Sequence, residues 1–135
     1  MSLRLLAVCV ASFWIAFGAH AHHSFSAEFD REKPITLTGA VSKLEWTNPH
    51  ARIYIDVEDE DGKLVTWDFE LGPPNGLMRL GWNSRSLQAG QIVTIEGFLS
   101  KTEPHVANAR TVRLPDGRQV FAGSSFDTTE PAGGE

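Results

Sequence analysis

Two adjacent histidines, His22 and His23, and a third, His50, directly after Asn48-Pro49, are the residues of this chain best equipped for chemistry. If His22 is freed as a chain terminus, its α-amine and ring nitrogen chelate a metal together, and imidazole suits Cu(II), zinc and nickel. One further imidazole completes a three-nitrogen site, with His50 the first choice and His23 the second. A terminus one residue earlier, Ala21-His22-His23, places a histidine third from the amine, an arrangement that also chelates Cu(II) or Ni(II). The competing reading leaves His22 and His23 as a solvated end and His50 as a hydrogen-bond partner of its own turn. His105 reads as a loop histidine outside the site.

A free terminus requires processing, and residues 1–21 have the pattern for it. Arg4 precedes an apolar run from Leu5 to Phe17, and Ala19-His20-Ala21 is an A-x-A cleavage signature, so the mature chain is expected to begin at His22 and to be periplasmic. A retained anchor is disfavoured because the apolar run is short and small residues follow it. Lipidation at Cys9 is disfavoured because that cysteine lies inside the run. Loss of residues 1–21 removes one cation and no anion, leaving 11 Lys and Arg against 17 Asp and Glu, a net charge of −6. An acidic exported chain is a poor partner for nucleic acid or an anionic membrane. Its only cysteine leaves with the signal, so disulfides and thiolate ligands are excluded and a soft Cu(I) thiolate site with them. An exposed nitrogen-donor Cu(II) site is what remains.

The elements that must position these residues are strands. Residues 51–58 alternate strictly: Ala51, Ile53, Ile55 and Val57 share one face, while His50, Arg52, Tyr54, Asp56 and Glu58 share the other. His50 therefore belongs on a polar sheet surface. Residues 22–33 read as an arm anchored by Phe25 and Phe29, and Pro34 opens a first strand with Ile35, Leu37, Gly39 and Val41 on one face. The apolar phase switches at Ser42-Lys43 to Leu44 and Trp46, as a β-bulge would require, and Gly39 in mid-strand independently suggests a bend. Asp59-Glu60-Asp61-Gly62 is a hairpin turn; it supplies too small a fragment of a calcium loop to be read as one. A third strand, 63–71, turns Val65, Trp67, Phe69 and Leu71 inward. Gly72-Pro73-Pro74 stops it, and Asn75 is expected to cap a short helix over 75–81. Residues 91–99 carry apolar groups on both faces and read as a strand buried on both sides. Strands over 107–114 and 119–122 follow around a Pro115-Asp116-Gly117 turn, and residues 123–135 have the composition of a disordered tail.

This order predicts an all-β fold, a small OB-type Greek-key barrel of five to six strands over residues 34–122, with one short helix between strands 3 and 4. An open β-sandwich or another six-stranded barrel is the alternative. In an OB barrel the outer surface of strands 2 and 3 is the usual binding face. Arg52, Tyr54, Asp68 and Glu70 would then contact a small molecule, glycan or protein partner without any metal. Their plainer reading is a solvated face with cross-strand ion pairs. Trp46, Trp67 and Trp82 are assigned to the core rather than to an aromatic cleft.

The segments His22-His23-Ser24-Phe25, Glu45-Trp46-Thr47-Asn48-Pro49-His50-Ala51, Phe69-Glu70-Leu71-Gly72, Gly81-Trp82 and Ala107-Asn108-Ala109-Arg110 resemble a family of small exported bacterial proteins of unknown function. The likeness spans nearly all of the mature chain and implies a single exported domain, but no activity. No Gly-x-Ser-x-Gly, phosphate loop or His-Glu-x-x-His is present, and Asp68 with Glu70 on one strand face is weak support for acid-base chemistry. The expectation is a binding protein and not an enzyme. It would take a divalent metal, Cu(II) foremost with zinc second, through His22, His23 and His50, and it could have a periplasmic protein partner.

Overall fold

The alternation after His50 becomes a strand whose inward residues Ile53 and Ile55 are wholly buried. The computed structural model describes residues 25–123. The expected signal segment, His22, His23 and the tail from 124 onward lie outside the described residues. In order, the elements are α1 (Phe25–Glu28), β1 (Phe29–Glu45), β2 (Arg52–Glu58), β3 (Leu64–Glu70), α2 (Pro74–Arg79), β4 (Ile92–Ser100), β5 (Val106–Arg113) and β6 (Gln119–Phe121). The sheet runs β3-β2-β1-β4-β5-β6, and a further β3–β5 pairing closes its first five strands into a ring. The closing pair is parallel, with Asp68 opposite Val106, Phe69 opposite Ala107 and Glu70 opposite Asn108. This is the OB-type barrel expected, with α2 between β3 and β4.

A single long strand makes the barrel possible. β1 pairs with β4 along its first part and with β2 along its last, so it must bend as the sheet closes on itself. Two devices bend it. The register against β2 slips between Val41 and Lys43, which is the bulge that the phase switch implies. At Gly39 a Cβ would lie 2.5 Å from the Asp56 carbonyl oxygen and 2.9 Å from Val57 Cγ2, so only glycine lets β2 approach so closely. The β2–β3 hairpin closes at Asp59, whose carboxylate accepts the backbone N–H groups of Asp61 and Lys63, with Gly62 at φ 78°.

Inward-facing Val41, Ile53, Ile55, Phe69, Leu71, Val93, Ile95, Ala107, Ala109 and Val112 form the core, joined by Leu77 of α2 and by Trp82. Each large side chain buried there contributes about 1.5–3 kcal/mol. Trp82 also donates Nε1–H to the Phe121 carbonyl at 2.9 Å, tying β6 to the segment after α2. Trp46 and Trp67 pack against the same core from partly buried positions. A second, separate cluster holds Phe25 and Phe29 against Phe98 and Val106, on the outside of the barrel.

Three expectations are corrected. β1 starts at Phe29 rather than at Pro34, because Phe29 pairs with Ser100 and its ring is held by the outer cluster, so part of the presumed arm is strand. β4 is not buried on both sides: Val93 and Ile95 are, but Ile92 is 55% exposed and Glu96 is at the surface, since the outer face of a barrel strand meets solvent wherever nothing covers it. Asn75 does not cap α2. Pro73 holds the N-cap position with no side-chain cap, and Pro74 starts the helix, where its missing N–H is no loss. No helix among the described residues is long and apolar enough to cross a membrane.

Candidate functional site

His50 precedes β2 by two residues, where the ladder with β3 continues past its last strand pair through Ala51, which exchanges hydrogen bonds with Leu71 and Gly72. The ladder fixes where the imidazole points. Arg52 stands opposite Glu70 and Tyr54 opposite Asp68, so alternation brings all four side chains and His50 to one outer face. His50 Nδ1 lies 3.0 Å from Glu70 Oε1, an ion-pair contact. Arg52 Nη1 donates to Glu70 Oε2 at 3.3 Å, and its Nε–H to the two Asp68 oxygens at 2.8 and 3.0 Å. Glu70 is thus gripped on both oxygens. Tyr54 is set toward the other neighbour, with Lys43 Nζ 5.6 Å from its ring centre and Lys43 in turn paired with Glu45.

The electrostatics follow from burial. The Glu70 side chain is only 10% exposed, and burial pushes its carboxyl above the ordinary carboxylate range; His50 and Arg52 oppose that shift, while Glu28 and Asp68 add to it. Burial also works against the Arg52 cation, but the hydrogen bond and charge of Asp68, with the charge of Glu70, outweigh it and hold the guanidinium above its usual pKa. Tyr54 is raised by burial and by Asp68.

The His50 side chain remains 33% exposed and opens on a cavity of about 370 Å³ lined by Glu28, Glu45, Asn48, His50, Arg52 and Glu70 among others. A second cavity of about 420 Å³ shares Glu28, Arg52 and Glu70 and extends past Phe29 and Glu103 to Val106. The cleft between α2 and β6, about 320 Å³ around Leu80, Trp82, Leu114 and Val120, shares no lining residue with either. His105 is exposed, in the β4–β5 loop at φ 57°, with its ring edge-on to Trp67 at 5.2 Å and not at this site.

Five of the seven residues singled out in the sequence therefore meet on one surface: His50, Arg52, Tyr54, Asp68 and Glu70. The other two, His22 and His23, lie outside the described residues. Among the described residues, no three His, Cys, Asp or Glu side chains are gathered so that they could hold a metal ion. His50 with Glu70 provides one imidazole and the carboxylate behind it, so a metal there needs donors from elsewhere. Sequence reasoning missed Glu28 and Glu45 as walls of the His50 cavity. Phe25 and Phe29 signalled that the N-terminal segment lies on the domain, but nothing local says on which face.

No curated protein matches the chain. A family model matches residues 9–107, most of the sequence and nearly all of the barrel through the first residues of β5. By that match the chain belongs to DUF6152, a family of unknown function.

Proposed function

We propose that this is an exported, periplasmic binding protein that takes a divalent metal, Cu(II) foremost and zinc second, through the His22 amine and ring together with His50 and, as a further donor, His23. The observation that carries the reading is the His50–Glu70 pair. A carboxylate oxygen 3.0 Å from Nδ1 favours the tautomer that carries its proton there and leaves Nε2 as the lone-pair donor, the arrangement by which metal-binding histidines are oriented. Three further features support it. Glu28, Glu45 and Glu70 line the same cavity as His50 and outnumber its one cation, Arg52, which favours a cation there. Glu28 also brings the start of the described chain to the cavity wall. His22 is three residue steps ahead of Phe25, and fully extended chain covers at most about 10 Å over that length.

The reading is of binding without catalysis, in delivery, buffering or sensing of the metal, with a periplasmic protein as the natural recipient. A metal-free module on the β2–β3 face has less support, because the Arg52 guanidinium is already taken up by Asp68 and Glu70. Native mass spectrometry of the protein isolated from a periplasm tests the proposal. A mass beginning at His22 with one copper per chain, lost in His50→Ala and kept in His105→Ala, is expected. A chain that stays metal-free after incubation with Cu(II) overturns it.

A further inference from the structure

β6 ends the sheet, and its ladder with β5 shows which backbone groups it turns outward. Leu114 N–H donates to the Arg118 carbonyl and Ala122 N–H to the Arg110 carbonyl, with Val120 opposite Val112 between them. In an antiparallel pair the intervening residues point the other way, so Gln119 and Phe121 direct their N–H and C=O groups off the sheet. The Phe121 carbonyl accepts Trp82 Nε1–H. Among the described residues nothing takes the Gln119 N–H and C=O or the Phe121 N–H.

The cleft between α2 and β6, about 320 Å³, lies beside this edge. Leu80, Trp82, Leu114 and Val120 give it apolar walls, and Asn83 and Arg118 give it polar ones. Its volume is at the small end for a ligand pocket, enough for an apolar side chain and not for a large molecule. Alternation decides what a strand added to β6 does there. The side chain opposite Val120 shares the Val120 face and enters the cleft, and the one opposite Arg118 lies beside the guanidinium. Those opposite Gln119 and Phe121 face out, next to a Phe121 ring that is already exposed.

Charge around the cleft runs against that of the whole chain. Residues 71–95 hold Arg79 and Arg85 and no acid, and residues 104–123 hold Arg110, Arg113 and Arg118 against Asp116 alone, in a chain of net charge −5. Arg79 and Arg85 are exposed and adjoin Leu80 and Ser86 of the cleft wall. The Asp116 carboxylate engages the Arg118 side chain through Nε, at 2.7 Å, and among the described residues the two terminal nitrogens have no partner. Such a rim repels a basic partner and offers a carboxylate a guanidinium.

We propose that the edge of β6 and the cleft beside it dock an extended acidic segment of another protein, added to the sheet as a further strand with one apolar side chain in the cleft and a carboxylate on Arg118. A second copy of this chain fits less well, because two copies meeting at this edge bring two basic rims together. The surface shares no lining residue with the His50 cavities and does not rest on the metal reading.

Amide NMR on the isotopically labelled full exported chain tests it, with acetyl-Glu-Thr-Leu-Thr-Glu-amide as the probe. Its carboxylates stand two residues to either side of the leucine and so meet Arg118 in either strand direction. Titration is expected to shift the amide signals of Gln119 and Phe121 and the Trp82 indole signal, and to leave Arg52 and Glu70 in place. Affinity is expected to fall by about tenfold or more when both Glu of the probe are replaced by Lys and in Arg118→Glu, as when a hydrogen-bonded charge loses its partner. Arg118 is 71% exposed, so that variant keeps its fold. The probe N-methylated on both threonines keeps its side chains, loses its ladder donors and is expected to weaken likewise. Equal affinity for the Glu and Lys probes, no shift at Gln119 and Phe121 with millimolar peptide, or full affinity for the N-methylated probe overturns the proposal. Dimerisation that moves the same edge signals with no peptide present gives the surface to a second copy and overturns it too.

Discussion

His50 Nδ1 and Glu70 Oε1 stand 3.0 Å apart although 19 residues of a hairpin and its extension lie between them, and the second Glu70 oxygen is held by Arg52. The imidazole is backed by a carboxylate that Arg52 holds in turn, so under the metal reading proposed above the ligand would have a support.

Glu70→Gln preserves the shape of that support and removes its charge. Cu(II) binding is expected to weaken by about 10–100-fold, the usual effect of losing the group behind a metal-binding histidine. Competition titration against a chelator of known affinity reads this directly; an unchanged affinity would mean that Glu70 does not act through His50.

In the metal-free chain the Glu70 carboxyl titrates above its ordinary value of 4.5, with burial as the leading cause. The folded state therefore holds this proton more tightly than the unfolded chain does. Its contribution to stability is complete below the ordinary value and is lost as pH rises through the folded pKa. Carbon-detected NMR titration should place its midpoint above 4.5, and urea midpoints should show the wild type losing ground to Glu70→Gln as pH rises through that window. A midpoint at or below the ordinary value contradicts the burial assignment.

Gly39→Ala forces a methyl group against the Asp56 carbonyl, which is backbone and cannot turn aside. A loss of about 1–3 kcal/mol in urea denaturation is expected, typical of overpacking against an unyielding neighbour. The same substitution at Gly81, which has open space around its Cβ position but φ 90°, tests strain in the left-handed region instead of overpacking.

The two apolar clusters should separate in mutational analysis. Phe69→Ala empties a position in the closed core and should lower global stability by about 3–5 kcal/mol. Phe25→Ala removes as much ring from the outer cluster but should cost the barrel distinctly less, its effect appearing as faster amide exchange over residues 25–33. Equal global losses would mean that the two clusters unfold as one.

Much of the barrel is legible in the sequence because its signals are local. The alternation after His50, the phase switch at Ser42-Lys43 and the acidic hairpin turn each follow from a few neighbouring residues, and each has its counterpart in β2, in the Val41/Lys43 bulge and in the Asp59 turn. The same alternation puts Arg52, Tyr54, Asp68 and Glu70 on one face. Which of them holds His50 depends on the register between β2 and β3, and alternation leaves that open. The early start of β1 and the exposure of β4 were hidden for a related reason: both depend on where Phe25 and Phe29 settle, on strands some 70 residues away. Asn108, which is fully buried, gave no warning, since an asparagine between two alanines in a strand reads as surface until something covers it.

The barrel closes through only three parallel residue pairs between β3 and β5, and Glu70 with Asn108 is one of them. With so few pairs to offset the loop-closure entropy of joining residues 38 positions apart, this seam is expected to form late in folding and to open early in unfolding. The candidate site lies beside that seam, with Glu70 belonging to both. Whatever grips His50 and Glu70 from outside fixes β3, one edge of the ring, against the start of β2, so a bound chain should melt higher than an empty one and resist proteases longer.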